Sequence, residues 1–119
     1  MEAYDLYQRG MSFLKAGHPA QAVLLLRRAA RLEPGKNSIR EGLARAHYAL
    51  GEFERAAEVF GQIVASVPVN DYAHFGLGCA LAKLGRGEEA RAHLRLALAM
   101  APHREEYRER LSALEALAE

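Results

Sequence analysis

Apolar side chains along this chain fall into short periodic runs. Between 37 and 51, Ile39, Leu43, Ala46 and Leu50 recur at i, i+4, i+7 and i+11, along one face of a helix. Thirty-four residues on, the same places hold Ala73, Leu77, Ala80 and Leu84. The punctuation keeps the same interval, with glycine at 17, 51 and 85 and proline at 34, 68 and 102. Glycine accepts the left-handed turn that closes a helix, and proline disfavours helix in the residue before it. Seven helices are predicted: 3–16, 19–32, 37 or 38 to the glycine at 51, 53–67, 71 to the glycine at 85, 87–101 and 104–118. Pro19 suits a first helical turn, Asn70 and Asp71 cap the fifth helix, and Ser38-x-x-Glu41 has the form of a capping box.

A fixed period decides an architecture before any local reading does. The units run over 3–36, 37–70 and 71–104, with one further helix. Ala22-x3-Leu26, Ala56-x3-Phe60 and Ala90-x3-Leu94 recur in their second halves. Leu6-x2-Arg9-Gly10-x2-Phe13, Arg40-x2-Leu43-Ala44-x2-His47 and His74-x2-Leu77-Gly78-x2-Leu81 recur in their first halves. This resembles the tetratricopeptide repeat, whose pattern is W-x2-L-G-x2-Y, then A-x3-F, then P. The departures are the missing tryptophan, Arg9 for leucine, His47 for an aromatic, and Ile63 for a small residue. The resemblance implies an all-α fold: a right-handed α-solenoid of three helix–turn–helix repeats plus a capping helix, one domain over 1–119.

In such a stack the Ile39 stripe and its equivalents bury against the preceding helix pair. The first unit carries Asp5, Arg9, Ser12 and Ala16 there, a polar face that suits the start of an array. In the last helix Tyr107, Leu111, Leu114 and Ala118 restore the apolar stripe, while Glu106, Arg108, Glu109, Ser112 and Glu115 are polar. A complete array, capped at both ends, is the expectation. A second stripe, which faces the concave side in the family, holds Tyr4, Tyr7, Met11 and Leu14, then Ser38, Glu41, Arg45 and Tyr48, then Tyr72, Phe75, Cys79 and Ala82. Surplus aromatic and thioether side chains on one surface mark a binding site. Gly42 and Gly76 lie beside them, where a missing side chain admits a ligand backbone. On an open face, alanine at either position stabilises by up to about 1 kcal/mol. The expected ligand-binding set is Tyr4, Tyr7, Met11, Gly42, Arg45, Tyr48, Tyr72, Phe75, Gly76 and Cys79.

Composition narrows the partners. A net charge of +1 gives no strong pull toward nucleic acid or a membrane surface. The single cysteine, Cys79, forms no internal disulfide, which suits a reducing, cytoplasmic setting. The histidines at 18, 47, 74, 93 and 103 have no metal-ligand spacing, so no metal or cofactor is expected. His47 reads as a core or boundary residue with one hydrogen bond; His74, beside Phe75, stands near enough to the groove to touch a ligand, but a structural role is the better reading for both. Cys79 lacks a paired base, and the serines lack a Gly-x-Ser-x-Gly setting, so catalysis is not expected. Arg27, Arg28 and Arg31 read as a solvated charged face.

The resemblance implies protein–protein interaction, in an adaptor or chaperone-like module. One subset of the family grips the C-terminal carboxylate of heat-shock chaperones with lysine, asparagine and arginine. The corresponding positions here hold Tyr7, Met11, Gly42, Tyr72 and Gly76, so that clamp is missing. The expected ligand is an apolar or aromatic peptide or helix, with an acidic residue for Arg45 or Lys83. The alternative is a scaffold that self-associates through the groove or the end helix, making the protein a monomer or weak homo-oligomer.

Overall fold

A computed structural model describes residues 1–117 and contains, among them, seven helices and no strand. They are α1 (Ala3–Lys15), α2 (Pro19–Leu32), α3 (Asn37–Ala49), α4 (Phe53–Ser66), α5 (Asp71–Lys83), α6 (Gly87–Met100) and α7 (Glu105–Leu117). The turns form where the period places them: Gly17, Gly51 and Gly85 take φ of 84°, 78° and 78°, conformations that a side chain would strain. Asn70 caps α5 by accepting a hydrogen bond from the Ala73 amide at 3.0 Å. The Ser38–Glu41 capping box does not form. Helix α3 already begins at Asn37, and its flanking residue, Lys36, makes no side-chain cap.

Each helix packs against its successor, and α1, α3, α5 and α7 also touch in turn along one side. The result is an elongated solenoid of 50 × 25 × 23 Å. Its core repeats with the sequence: Ala22, Leu26 and Ala29 of α2, then Ala56, Phe60 and Ile63 of α4, then Ala90, Leu94 and Ala97 of α6 are all buried. The large residue at 63 is matched by a small one opposite. Ala29 packs with Ile39, Ile63 with Ala73, and Ala97 with Tyr107, so the bulk changes sides while the shared volume stays filled.

Asp5, Arg9 and Ser12 of α1, and Ala16 just after it, are exposed. At the other end Tyr107 and Leu111 are buried and Leu114 is partly so. Ala118, placed in the same stripe by sequence, lies outside the described residues. Helix α5 differs from the rest, because every residue from 73 to 81 is buried. A helix with no wet face is enclosed on all sides, and α5 is enclosed by α4, α6, α3 and α7. No described helix is long and apolar enough to cross a membrane.

Candidate binding groove

The row α1–α3–α5–α7 holds two hollows on its inner side. The larger of the two, of about 210 Å³, is lined by Arg45, Tyr48 and Ala49 of α3, Phe60 of α4, Tyr72, Phe75, Gly76 and Cys79 of α5, and Arg110 of α7. Tyr72 stands half-buried, with its ring centroid 6.2 Å from those of both Phe60 and Phe75. Tyr48 packs edge-on to Phe53 at 5.0 Å, and its hydroxyl accepts a bond from Arg110 Nη1 at 3.5 Å. A smaller hollow of about 130 Å³ lies at Tyr4, Tyr7, Glu33, Lys36, Ser38 and Ile39. Tyr4 is 66 % exposed there, and Tyr7 is half-buried.

Several expected groove residues serve packing instead. Phe75 is only 9 % exposed, because its ring stacks on Tyr107 of α7 at 4.5 Å, leaving one edge to the hollow. Cys79 is buried beside it. That burial pushes its thiol up to about 11, so the sulfur stays protonated near neutrality and is a poor nucleophile. Gly42 and Gly76 are not open ground. A Cβ at 42 would lie 2.6 Å from Met11 Sδ, and a Cβ at 76 would overlap the Phe60 ring. Both glycines admit a neighbouring side chain of the same chain rather than a ligand backbone. Met11 is thereby half-buried over Gly42, and Arg45 stays exposed.

Two features escaped the spacing of single helices. Arg110 lies 34 residues after Gly76 and 68 after Gly42, so continuing the period into α7 places it at the same inner position. Phe60 reaches the groove from α4 because Gly76 leaves room for its ring.

His74 leaves the groove altogether. It is buried on the α6 side, with Nε2 2.8 Å from the Pro68 carbonyl oxygen and Nδ1 3.0 Å from His93 Nδ1. A carbonyl only accepts, so His74 donates through Nε2, and its Nδ1 lone pair takes the proton of His93 Nδ1. Outside this pair, Glu54, Glu58, Arg86 and Glu89 line a charged hollow with His93. Burial, and then His74, hold His93 below the ordinary histidine value, outweighing the attraction of Glu89. Below about pH 6.5 an unfolded histidine binds a proton that the folded His93 takes only at lower pH. Stability present above that value is therefore lost as the pH falls through it. Thermal midpoints should drop between about pH 7.5 and 5.5, and His93→Gln should flatten that dependence. An unchanged slope in the variant would contradict the pairing.

His47 is buried and bonds Glu52 Oε1 at 2.8 Å, a contact that holds the Glu52 carboxyl below its usual range. Among the described residues no three histidine, cysteine or acidic side chains converge as a metal site.

A tetratricopeptide-repeat family model matches residues 7–64 and again 42–105. No curated protein matches the chain significantly. Among solved structures, the first such domain of Spaghetti (RPAP3), bound to the HSP90 peptide SRMEEVD, is 24 % identical with a TM-score of 0.92, over 99 % of this chain and 94 % of that one. MamA from Desulfovibrio magneticus RS-1, residue 41 to its end, is 20 % identical with a TM-score of 0.94, over 98 % of this chain and 66 % of that one. The Sgt2 domain from Aspergillus fumigatus is 18 % identical with a TM-score of 0.90, over 98 % of this chain and 78 % of that one. At these identities the likeness is one of fold. With the family model spanning nearly the whole chain, and buried positions repeating every 34 residues, the chain belongs to the tetratricopeptide repeat family.

Proposed function

We propose that this chain is a protein-interaction module, adaptor or chaperone-like in role, without catalysis of its own. It holds a segment of a partner protein along the α1–α3–α5–α7 side, with an apolar side chain seated in the larger hollow. The observation that carries this is the hollow itself: about 210 Å³, open, and walled by Tyr48, Phe60, Tyr72 and the edge of Phe75. Pockets for small-molecule ligands run to about 300–1,000 Å³, so this one suits a single side chain better than a cofactor. A concave surface walled by tyrosine and phenylalanine is of the kind at which protein partners dock. A peptide is bound in the Spaghetti structure, which supports a peptide ligand for this fold.

Selection from phage-displayed random peptides tests the proposal. Peptides enriched on the wild-type chain should lose about thirtyfold in affinity when Tyr72 is replaced by alanine, as a central aromatic anchor does. Enrichment that survives Tyr72→Ala and Tyr48→Ala together would place binding elsewhere on the molecule.

A further inference from the structure

The larger hollow also specifies what should stand beside the apolar side chain, and this step rests on the groove reading above. We infer that its ligand is a peptide in which an aromatic residue adjoins a carboxylate: the ring packs on Tyr72, and the carboxylate sits between Arg45 and Arg110.

Two arginines line the hollow, and no aspartate or glutamate does. In several other hollows cations share the lining with acids. The hollow at His93 has three glutamates around Arg86, and Lys36 at the smaller groove hollow pairs with Glu33 at 3.3 Å. A chain whose net charge is only +1 thus places two arginines in the lining of this aromatic hollow. Glu41 and Glu106 lie near enough to act on Tyr72, and Glu106 on Arg110 as well, but neither lines the hollow.

The hydrogen-bond count agrees. A guanidinium carries five N–H donors. Among the described residues Arg110 uses one, to Tyr48 at 3.5 Å, and neither Arg110 nor Arg45 is ion-paired with a carboxylate. A carboxylate has acceptors for both and gains charge-assisted bonds from each. Arg110 stands where the two preceding repeats have glycine, so the arginine is a feature of this end of the groove alone.

The test uses the isotopically labelled full chain and four blocked eight-residue Gly-Ser peptides, with Phe-Glu, Phe-Gln, Ala-Glu or Ala-Gln at the centre. Amide shifts at Tyr72, Gly76 and Cys79 should saturate with Phe-Glu at about tenfold lower concentration than with Phe-Gln. The Ala-Glu and Ala-Gln peptides should bind more weakly still. Arg45→Gln with Arg110→Gln should remove the preference for Phe-Glu over Phe-Gln; both residues are exposed, so an unaltered circular dichroism spectrum is expected. Equal binding of Phe-Glu and Phe-Gln by the wild type overturns the carboxylate inference while sparing the groove, and so does a preference that persists in the double variant. Shifts from none of the peptides, or shifts confined to α2, α4 and α6, overturn the groove reading together with the inference. Concentration-dependent shifts at the same amides without peptide would put a second copy of the chain in the hollow, which also overturns it.

Discussion

Replacing Tyr107 with alanine should remove about 3–5 kcal/mol of folding stability, the range for a large aromatic lost from a packed core. The ring is fully buried, lies face to face with Phe75 at 4.5 Å, and carries Arg104 5.5 Å above it. Its hydroxyl donates to the Asp71 carboxylate at 2.8 Å, which joins the start of α5 to the start of α7. Burial, with Asp71 second, keeps that phenol protonated far above neutral pH. Among the described helices α7 packs only on α6 and α5, so little else compensates for the lost ring. Leu111 and part of Leu114 are the remaining apolar anchors of α7. Tyr107→Phe separates the two contributions. It keeps the ring and should cost about 0.5–1.5 kcal/mol, the net value of one hydrogen bond. Urea unfolding followed by circular dichroism measures both. A loss below about 1 kcal/mol for the alanine variant would mean that α7 is held by something other than this ring.

Gly76→Ala should destabilise by about 1–3 kcal/mol, the usual cost of overfilling a packed core. The new methyl would overlap the Phe60 ring, which is buried against α5 and could yield only by giving up that packing and moving toward the hollow it walls. Gly42→Ala meets only the sulfur of Met11, the end of a flexible and half-buried side chain. There the better helix propensity of alanine, up to about 1 kcal/mol, offsets a small displacement. The pair should therefore separate clearly in thermal unfolding, with Gly76→Ala low and Gly42→Ala near the wild type. Equal stabilisation at both sites would restore the open inner face inferred from spacing alone.

That contrast marks where sequence reasoning stops. The repeat, the seven helices and their glycine turns were legible because each rests on local, periodic signals: positive φ at 17, 51 and 85, and buried Ala-x3-Leu or Ala-x3-Phe steps. The apolar stripe of α7 was legible for the same reason. Spacing on one helix does not say which neighbouring side chain fills a gap, so the rings and thioether over Gly76 and Gly42 were invisible. Nor does it show that α7 folds over Phe75 and Cys79, burying most of two residues that still line the hollow. One clue was present: the run Ala73–Leu81 has no charged residue, as befits a helix enclosed on every side. His74 is structural, as its setting suggested, but its partners, Pro68 O and His93, come from a turn and from another helix, which spacing on α5 does not show. Tyr48, Tyr72 and Arg45 stayed at the groove, joined by Arg110, whose place follows once the period is carried one unit further.

Amide hydrogen exchange of the full chain, with and without a peptide selected on it, tests the central claim most directly. A ligand seated between α3, α5 and α7 should slow exchange at residues 41–49 and 72–82 and around Arg110, while α2 and α6 exchange as before. Protection confined to α2, α4 and α6, with the inner row unchanged, would contradict it.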